Sequence, residues 1–383
     1  MATGVAIVGC GYVADLYINS FENWRDVLDL RGTYDRNGER LRVFSQFYDL
    51  NTYGTLEDVL SDDRVEIVLN LTNPTEHYSV SMACLAAGKH VYSEKPLAVD
   101  FAQAQEVLAE AEKRGLHVAS APATVLGEAA QTLWREVRSG TLGQPRLVYA
   151  ELDDGMVHRI GYENWKTRSG AYWPADDEFA TGCTLEHAGY AVTWLTAMFG
   201  PARRVVSFAK LLVEDKGRPR DTAPYAPDFS CACLEFDDGV VARITNSILA
   251  PHDHRFRVIC EDGMLSVEEM WDFNTPVIRK PVLETRLKRQ LEKKVGWDGS
   301  RRVAPAQRRS FTSASRGYRM DFAAGPAEMA QAIAEGRPPR LGGRYALHTT
   351  ELALAIQHPE RFGTDYTPVT DFPPMMPMPW AKD

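Results

Sequence analysis

At 383 residues the chain is longer than a single hydrophobic core usually fills, so more than one domain is expected. Its apolar content is that of an ordinary globular protein, and no apolar run is long enough to span a bilayer. A net charge of -9 speaks against a nucleic-acid partner.

The first residues, "MATGVAIVGCG", run into a strand-like stretch without a basic segment, apolar core and cleavage site. No signal peptide and a cytoplasmic location are expected. Cys10, Cys84, Cys183, Cys231, Cys233 and Cys260 lie scattered in apolar contexts. Cys231 and Cys233 share one face of an expected strand and read as buried small hydrophobes rather than a disulfide or metal pair.

In chain order, "VAIVGCG" is a buried strand ending in glycines, and "VLDLRGTYDR" is a second strand followed by the helix "GERLRVFSQFY". "VEIVLNLTNP" is a third strand, with a helix from about Thr75 to Ala87 after it. "KHVYSEKP" is a fourth, before a helix from about Phe101 to Arg114, and "HVASAPA" closes the series. Alternation of this kind predicts a parallel sheet covered by helices on both faces. From about residue 123 the pattern changes. The helix "EAAQTLWREVRSG" leads to the strand "PRLVYAELDD", and later strands pair through Asp-Gly turns at Asp238-Gly239 and Asp262-Gly263. The expected architecture is an N-terminal Rossmann domain, residues 1–122, and a C-terminal α+β domain, residues 123–383, built on a largely antiparallel open sheet. Two final helices come from "AAGPAEMAQAIAEG" and "ALHTTELALAIQ", and the proline-rich tail is expected to be extended.

"GCGYVA" places Gly9, Gly11 and Ala14 between a strand and a helix, as a dinucleotide fingerprint requires. Gly9 permits the tight turn and Gly11 lets backbone approach the pyrophosphate. The helix start at Tyr12 and Val13 offers N–H groups to phosphate. Asp35, at the end of the second strand, suits the adenosine ribose hydroxyls and favours NAD over NADP. Arg36 could instead face a 2′-phosphate, and Asp35 could simply cap the next helix.

"GCGYVA", "TNPTEHY" and "SEKPLA", in this order and context, resemble the glucose–fructose oxidoreductase, inositol dehydrogenase and rhizopine-catabolism (Gfo/Idh/MocA) family. The resemblance spans essentially the whole chain, including "AEMAQAIAEGRPP" and "ALHTTELALAI". It implies that Thr72, Asn73, Pro74 and His77 line the nicotinamide side of a cleft. It further implies that Glu94 and Lys95 meet the nicotinamide ribose and substrate, and that Pro96 often follows a cis bond. A lysine at a strand tip can polarise a substrate hydroxyl and stabilise charge growing on its oxygen.

In the second domain, "TGCTLEHAGYAVTWLTAMFG" is a helix with Glu186 and Tyr190 on one face. The family pattern Asp-x-Gly-x-His carries its proton-transfer histidine here. In this chain Glu186 stands at the acid, Ala188 at the glycine and Tyr190 at the histidine. That departure resembles the tyrosine-using members, glucose–fructose oxidoreductase and dimeric dihydrodiol dehydrogenase. Lys95, Tyr190 and Glu186 are therefore the expected catalytic residues. Lys95 and the positive nicotinamide are expected to lower the tyrosine pKa. His187 is the rival base and a candidate substrate contact. In "ELDDGMVHRIGYENWKTRSGAYW", Trp165 and Lys166 are candidate substrate contacts. His252 and His254 stand at strand spacing, but without a third ligand nearby in sequence no metal is expected.

The expected activity is NAD(P)-dependent interconversion of a secondary alcohol and ketone on a sugar, cyclitol or related polyol. Rivals are NAD-dependent cleavage or elimination of a glycosidic bond, and a non-catalytic NAD-binding regulator. A homodimer or homotetramer is expected through the C-terminal sheet. Residues 280–310 are strongly basic in an acidic chain, with Leu283, Leu287, Leu291 and Val295 spaced as one helical stripe. That segment could pack on the second domain. It could instead border a neighbouring subunit or the cleft mouth, which would favour an anionic substrate.

Overall fold

The structure, a computed structural model, describes residues 2–217, 225–311 and 319–382. The first part alternates as expected: β1 (Thr3–Val8), α1 (Tyr12–Phe21), β2 (Leu28–Tyr34), α2 (Gly38–Tyr48), α3 (Leu56–Ser61), β3 (Ile67–Asn70), α4 (His77–Ala86), β4 (His90–Ser93), α5 (Phe101–Arg114) and β5 (Val118–Ser120). All five strands run parallel in the order β2-β1-β3-β4-β5. The chain reverses its direction of winding between β1 and β3, and the crevice at their carboxyl ends is where such sheets take ligands. Short β3 is apolar up to its last residue and buried throughout, as a strand covered on both faces must be. Local chemistry fixes the helices. The Asn37 side chain accepts the Glu39 and Arg40 N–H groups at the start of α2. Asp100 caps α5, which ends at Gly115 with φ 66 after Lys113 and Arg114. Helix α3, absent from the expectation, rests on a Thr55/Asp58 capping box.

The second part contains α6 (Glu128–Arg138), β6 (Pro145–Asp153), α7 (Ala175–Thr181), α8 (Cys183–Phe199), β7 (Ala202–Lys210), β8 (Phe229–Phe236), β9 (Val241–Ser247), β10 (Phe256–Cys260), β11 (Gly263–Val267), β12 (Ile278–Pro281), α9 (Arg286–Val295), β13 (Arg301–Arg302), α10 (Ala324–Ala334), α11 (Gly343–Gln357), α12 (Pro359–Phe362) and β14 (Asp365–Tyr366). Among the described residues its nine strands follow the order β13-β12-β11-β10-β6-β9-β8-β7-β14. Every neighbouring pair is antiparallel except β6 and β9. Helix α8 packs on one face of this sheet and against α11. Helix α11 also packs on α5, and Gly342 bridges Ala119, so the end of the chain returns to the first sheet. The proline-rich tail is extended apart from a short turn. It buries Phe372, Met375 and Ala381.

Two expectations fail. Cys231 is only half-buried and Cys233 is exposed, because β8 turns them to the uncovered face of the sheet, while Cys10, Cys84, Cys183 and Cys260 are buried. The stripe of α9 does not pack on the second domain. Leu287 is 67% exposed, Leu291 40% and Val295 70%. No residue of 280–310 lines the cleft described below.

Candidate active site

Two adjoining hollows form one groove along the carboxyl ends of β1 and β3, of about 480 and 670 Å³. Both touch Gly11, Arg40, Leu71, Thr72 and Asn73. The smaller lies beside Gly9, Asp35 and Arg36. The larger opens between the two sheets and reaches Lys95, Glu186 and Tyr190.

The dinucleotide end fits its expected occupant. Gly9 has φ +98, and a Cβ there would stand 2.5 Å from the Leu71 carbonyl oxygen. A Cβ on Gly11 would meet nothing within 4 Å, so this residue faces open groove where a pyrophosphate can pass. No side chain caps α1, which leaves the first-turn N–H groups at Tyr12 and Val13 to an anion. The Asp35 carboxylate accepts the N–H of Cys10 at 2.7 Å and of Asn37 at 2.8 Å. It is not the helix cap, since Asn37 is. Arg36 is exposed and pairs with Glu76 at 3.0 Å.

The chemistry end is set by the tip of β4. Glu94 accepts the Tyr17 hydroxyl at 2.7 Å and the Lys95 N–H at 3.1 Å. The bond between Lys95 and Pro96 is cis. The buried His77 imidazole bridges the carbonyls of Pro96 and Thr72, at 2.6 and 3.0 Å, and so ties the loops after β3 and β4 together. Burial lowers its pKa. Pro74 lines the same wall, and Asn73 donates to Asp177 of α7 at 2.7 Å.

Lys95 Nζ donates to Glu186 of α8. Burial works against the ammonium, but Glu186 and then Glu178 outweigh it and raise the Lys95 pKa. Glu178, unforeseen from sequence, is hydrogen-bonded to Glu186. Burial and the Glu186 charge push Glu178 well up. Lys95 holds Glu186 below the ordinary carboxylate value despite its burial. The trio therefore reads as one ammonium, one carboxylate and one neutral acid, with no net charge. The sequence signal for Glu178 was masked by "ADDE", which looks like a solvated helix start; Asp177 and Glu178 both reach the cleft, and the glutamate meets Glu186.

One turn along α8, Tyr190 is buried and its ring stands 5.0 Å from that of Trp271. Burial raises its pKa, and the opposing effect of Lys95 is smaller. The lowering expected from Lys95 is present but is outweighed by burial, so Tyr190 is a neutral acid. His187 also lines the cleft, with Nε2 3.7 Å from Asp154, and burial lowers its pKa. Trp165 lines the cleft and packs on Trp173, with ring centroids 5.3 Å apart. Lys166 does not line it. It is exposed, with its ammonium 4.9 Å from the ring centre of Tyr172.

The loop after β6 folds over the groove and is latched to the first helix. Ser169 donates to the buried Asp15 from its N–H at 2.9 Å and from its hydroxyl at 2.6 Å. Arg40 reaches the Ser169 carbonyl at 3.2 Å, Asp15 at 3.3 Å and the Cys10 carbonyl. None of these partners was foreseen, because Ser169 meets Asp15 and Arg40 only where the second domain's loop touches the first domain.

The groove thus lies at a sheet switch point and ends on Lys95 and Tyr190. Residues 3–121 match the oxidoreductase family with NAD-binding Rossmann fold, and residues 130–266 match the GFO/IDH/MocA C-terminal domain. The chain belongs to the GFO/IDH/MocA family. It is 31% identical over 233 residues to trans-1,2-dihydrobenzene-1,2-diol dehydrogenase of Sus scrofa, covering 61% of this chain and 64% of that one. The match to the Macaca fuscata fuscata enzyme of that name, 31% identical, spans 43% of this chain and 46% of the relative. Inositol 2-dehydrogenase/D-chiro-inositol 3-dehydrogenase of Lactiplantibacillus plantarum is 30% identical over 30% of this chain and 33% of its own. The fold is shared with an NAD binding oxidoreductase from Klebsiella pneumoniae (TM-score 0.76, 18% identity, 97% and 99% of the two chains). It is shared too with aldose-aldose oxidoreductase from Caulobacter crescentus (TM-score 0.73, 20% identity, 96% and 100%). Among the described residues no helix is long and apolar enough to cross a membrane.

Proposed function

We propose that the protein oxidises and reduces a secondary alcohol and its ketone on a sugar, cyclitol or related polyol, with NAD preferred over NADP. Residues 1–122 hold the cofactor, and 123–383 supply the substrate wall. The observation that carries this reading is the Lys95–Glu186–Glu178 trio beside Tyr190 in one cleft. Bound NAD would supply the hydride acceptor, and NADH the donor. Lys95 would donate to the substrate oxygen and stabilise its growing charge in a site shielded from water. Tyr190, a neutral acid, would give its proton to that oxygen during reduction and take it back during oxidation. Glu186 would fix the direction of the Lys95 ammonium, and the neutral Glu178 would donate to Glu186. Trp165, Trp173 and Trp271 offer flat faces that suit the C–H faces of a ring polyol. On the uncovered sheet face, Leu147, Val206 and Phe208 are exposed, which supports assembly of copies through that sheet. The test is a panel of polyols and keto-sugars followed by NADH absorbance. No turnover with any member, despite NADH binding, would overturn the reading in favour of a non-catalytic binder.

A further inference from the structure

Across Trp271 from Tyr190 lies a second constellation. The backbones of Asp153 and Asp253 bridge each other, with N–H to carbonyl distances of 3.0 and 2.9 Å. That pairing brings Asp154, after β6, beside His252 and His254, before β10. One oxygen or nitrogen from each of these three side chains lies within 4.8 Å of the others. Glu269 stands behind both rings: its carboxylate meets His252 Nε2 at 3.0 Å and His254 Nδ1 at 3.0 Å. It is itself fixed by the Trp271 N–H at 2.9 Å. His254 is buried, and its Nε2 faces an Asp154 oxygen at 3.5 Å. Asp154 and His252 line the substrate cleft.

We propose that Asp154, His252 and His254 form a binding site for a divalent transition cation of the zinc class, with its remaining coordination positions turned to the cleft. Two imidazoles and one carboxylate are a donor set for such ions. Metal-binding histidines characteristically present their other nitrogen to a carboxylate, which fixes ring direction and basicity; Glu269 does this for both rings. Bonds of roughly 2.0–2.2 Å reach donors up to about 4 Å apart, so a small rotation of the exposed His252 completes the set. The sequence concealed the site because Asp154 is about a hundred positions from the histidine pair. Asp154 and Glu269 flank the His254 ring and offer negative charge to a cation. An ion here would grip a vicinal diol or an α-hydroxy acid. That last step rests on the dehydrogenase reading, whereas cation binding does not.

The experiment is calorimetric titration of the chelator-treated full chain with Zn²⁺, and with Mn²⁺ in parallel, read together with bound metal per chain by mass spectrometry. One saturable Zn²⁺ per chain is expected. It should be lost in Asp154→Asn and His252→Gln and weakened by about 10–100-fold in Glu269→Gln. His252→Gln alters an exposed side chain, so it keeps the test open if the buried variants do not fold. Absence of a saturable ion, or binding unchanged in Asp154→Asn and His252→Gln, overturns the site. Intact Zn²⁺ binding with no polyol turnover would instead defeat the dehydrogenase reading alone.

Discussion

Lys95→Met probes the charge arrangement of the cleft in two ways. The ammonium is the one cation of the trio, and its side chain is 19% exposed against 5% for Glu186. If it donates to the substrate oxygen, losing it removes a charged donor at the point where negative charge grows. Comparable losses lower kcat by about 10²–10³, or roughly 3–4 kcal/mol. The second effect is on stability. Breaking a buried pair by removing one partner costs about 3–5 kcal/mol when the remaining charge is stranded. Here Glu186 can escape by taking up a proton, as Glu178 already has, so the deficit depends on pH. In the variant the folded pKa of Glu186 would rise above its unfolded value. Stability would then be lost as pH rises from about 4 toward that folded pKa. The variant should therefore trail the wild type more at pH 8 than at pH 5. The assays are NADH binding by calorimetry, kcat on the best substrate of the polyol panel, and thermal melts at the two pH values. Glu178→Gln, which mimics the neutral acid, is the control and should stay near wild type. Turnover of Lys95→Met within tenfold of wild type, with NADH binding intact, would refute the role given to the lysine.

Tyr190→Phe should lower the rate by about 10²–10⁴. If it is nearly silent while His187→Asn is not, the histidine carries the proton. Asp35→Ser should narrow the preference for NAD over NADP in direct binding titrations; a wild-type preference for NADP would show that Arg36 governs that end of the groove. Asp321 is buried, and burial pushes its pKa up to about 6 against the pull of Arg309. An acid raised in the folded state stabilises fully below its unfolded pKa and less as pH climbs through its folded one. Relative to Asp321→Asn, the wild type should lose roughly 3 kcal/mol between pH 4 and 7, read from paired melting curves.

The parallel half of the fold was legible because short apolar runs alternate with helical patterns, and α2 and α5 carry side-chain caps that mark where they start. Gly9, Gly11 and the Lys95 tip stand out in the sequence for the same reason: their signals lie in neighbours close in the chain. What sequence concealed is long-range. The parallel pairing of β6 with β9 joins segments about a hundred residues apart in the chain, and no local pattern marks it. Strand β7 was missed because Arg203 and Arg204 break its alternation; both side chains are exposed. Glu178 and Asp154 were overlooked as members of acidic runs, since which carboxylate turns inward is decided by packing. The stripe on α9 misled in the opposite direction: periodicity located the helix but could not say that, among the described residues, its Leu287, Leu291 and Val295 stay exposed.

The latch of Ser169 and Arg40 on Asp15 joins a loop of the second domain to the helix that begins at the dinucleotide turn. The bonds from Ser169 to Asp15 and Arg40 cross between the domains beside the groove, so a cofactor held beneath the loop would leave only once they break. Residence time would then be set by loop opening rather than by the groove's affinity, and exchange of spent for fresh cofactor would become the slow event of each cycle. Rapid mixing of enzyme, NAD and substrate would show this as a burst of NADH equal to the enzyme concentration, followed by a slower steady rate.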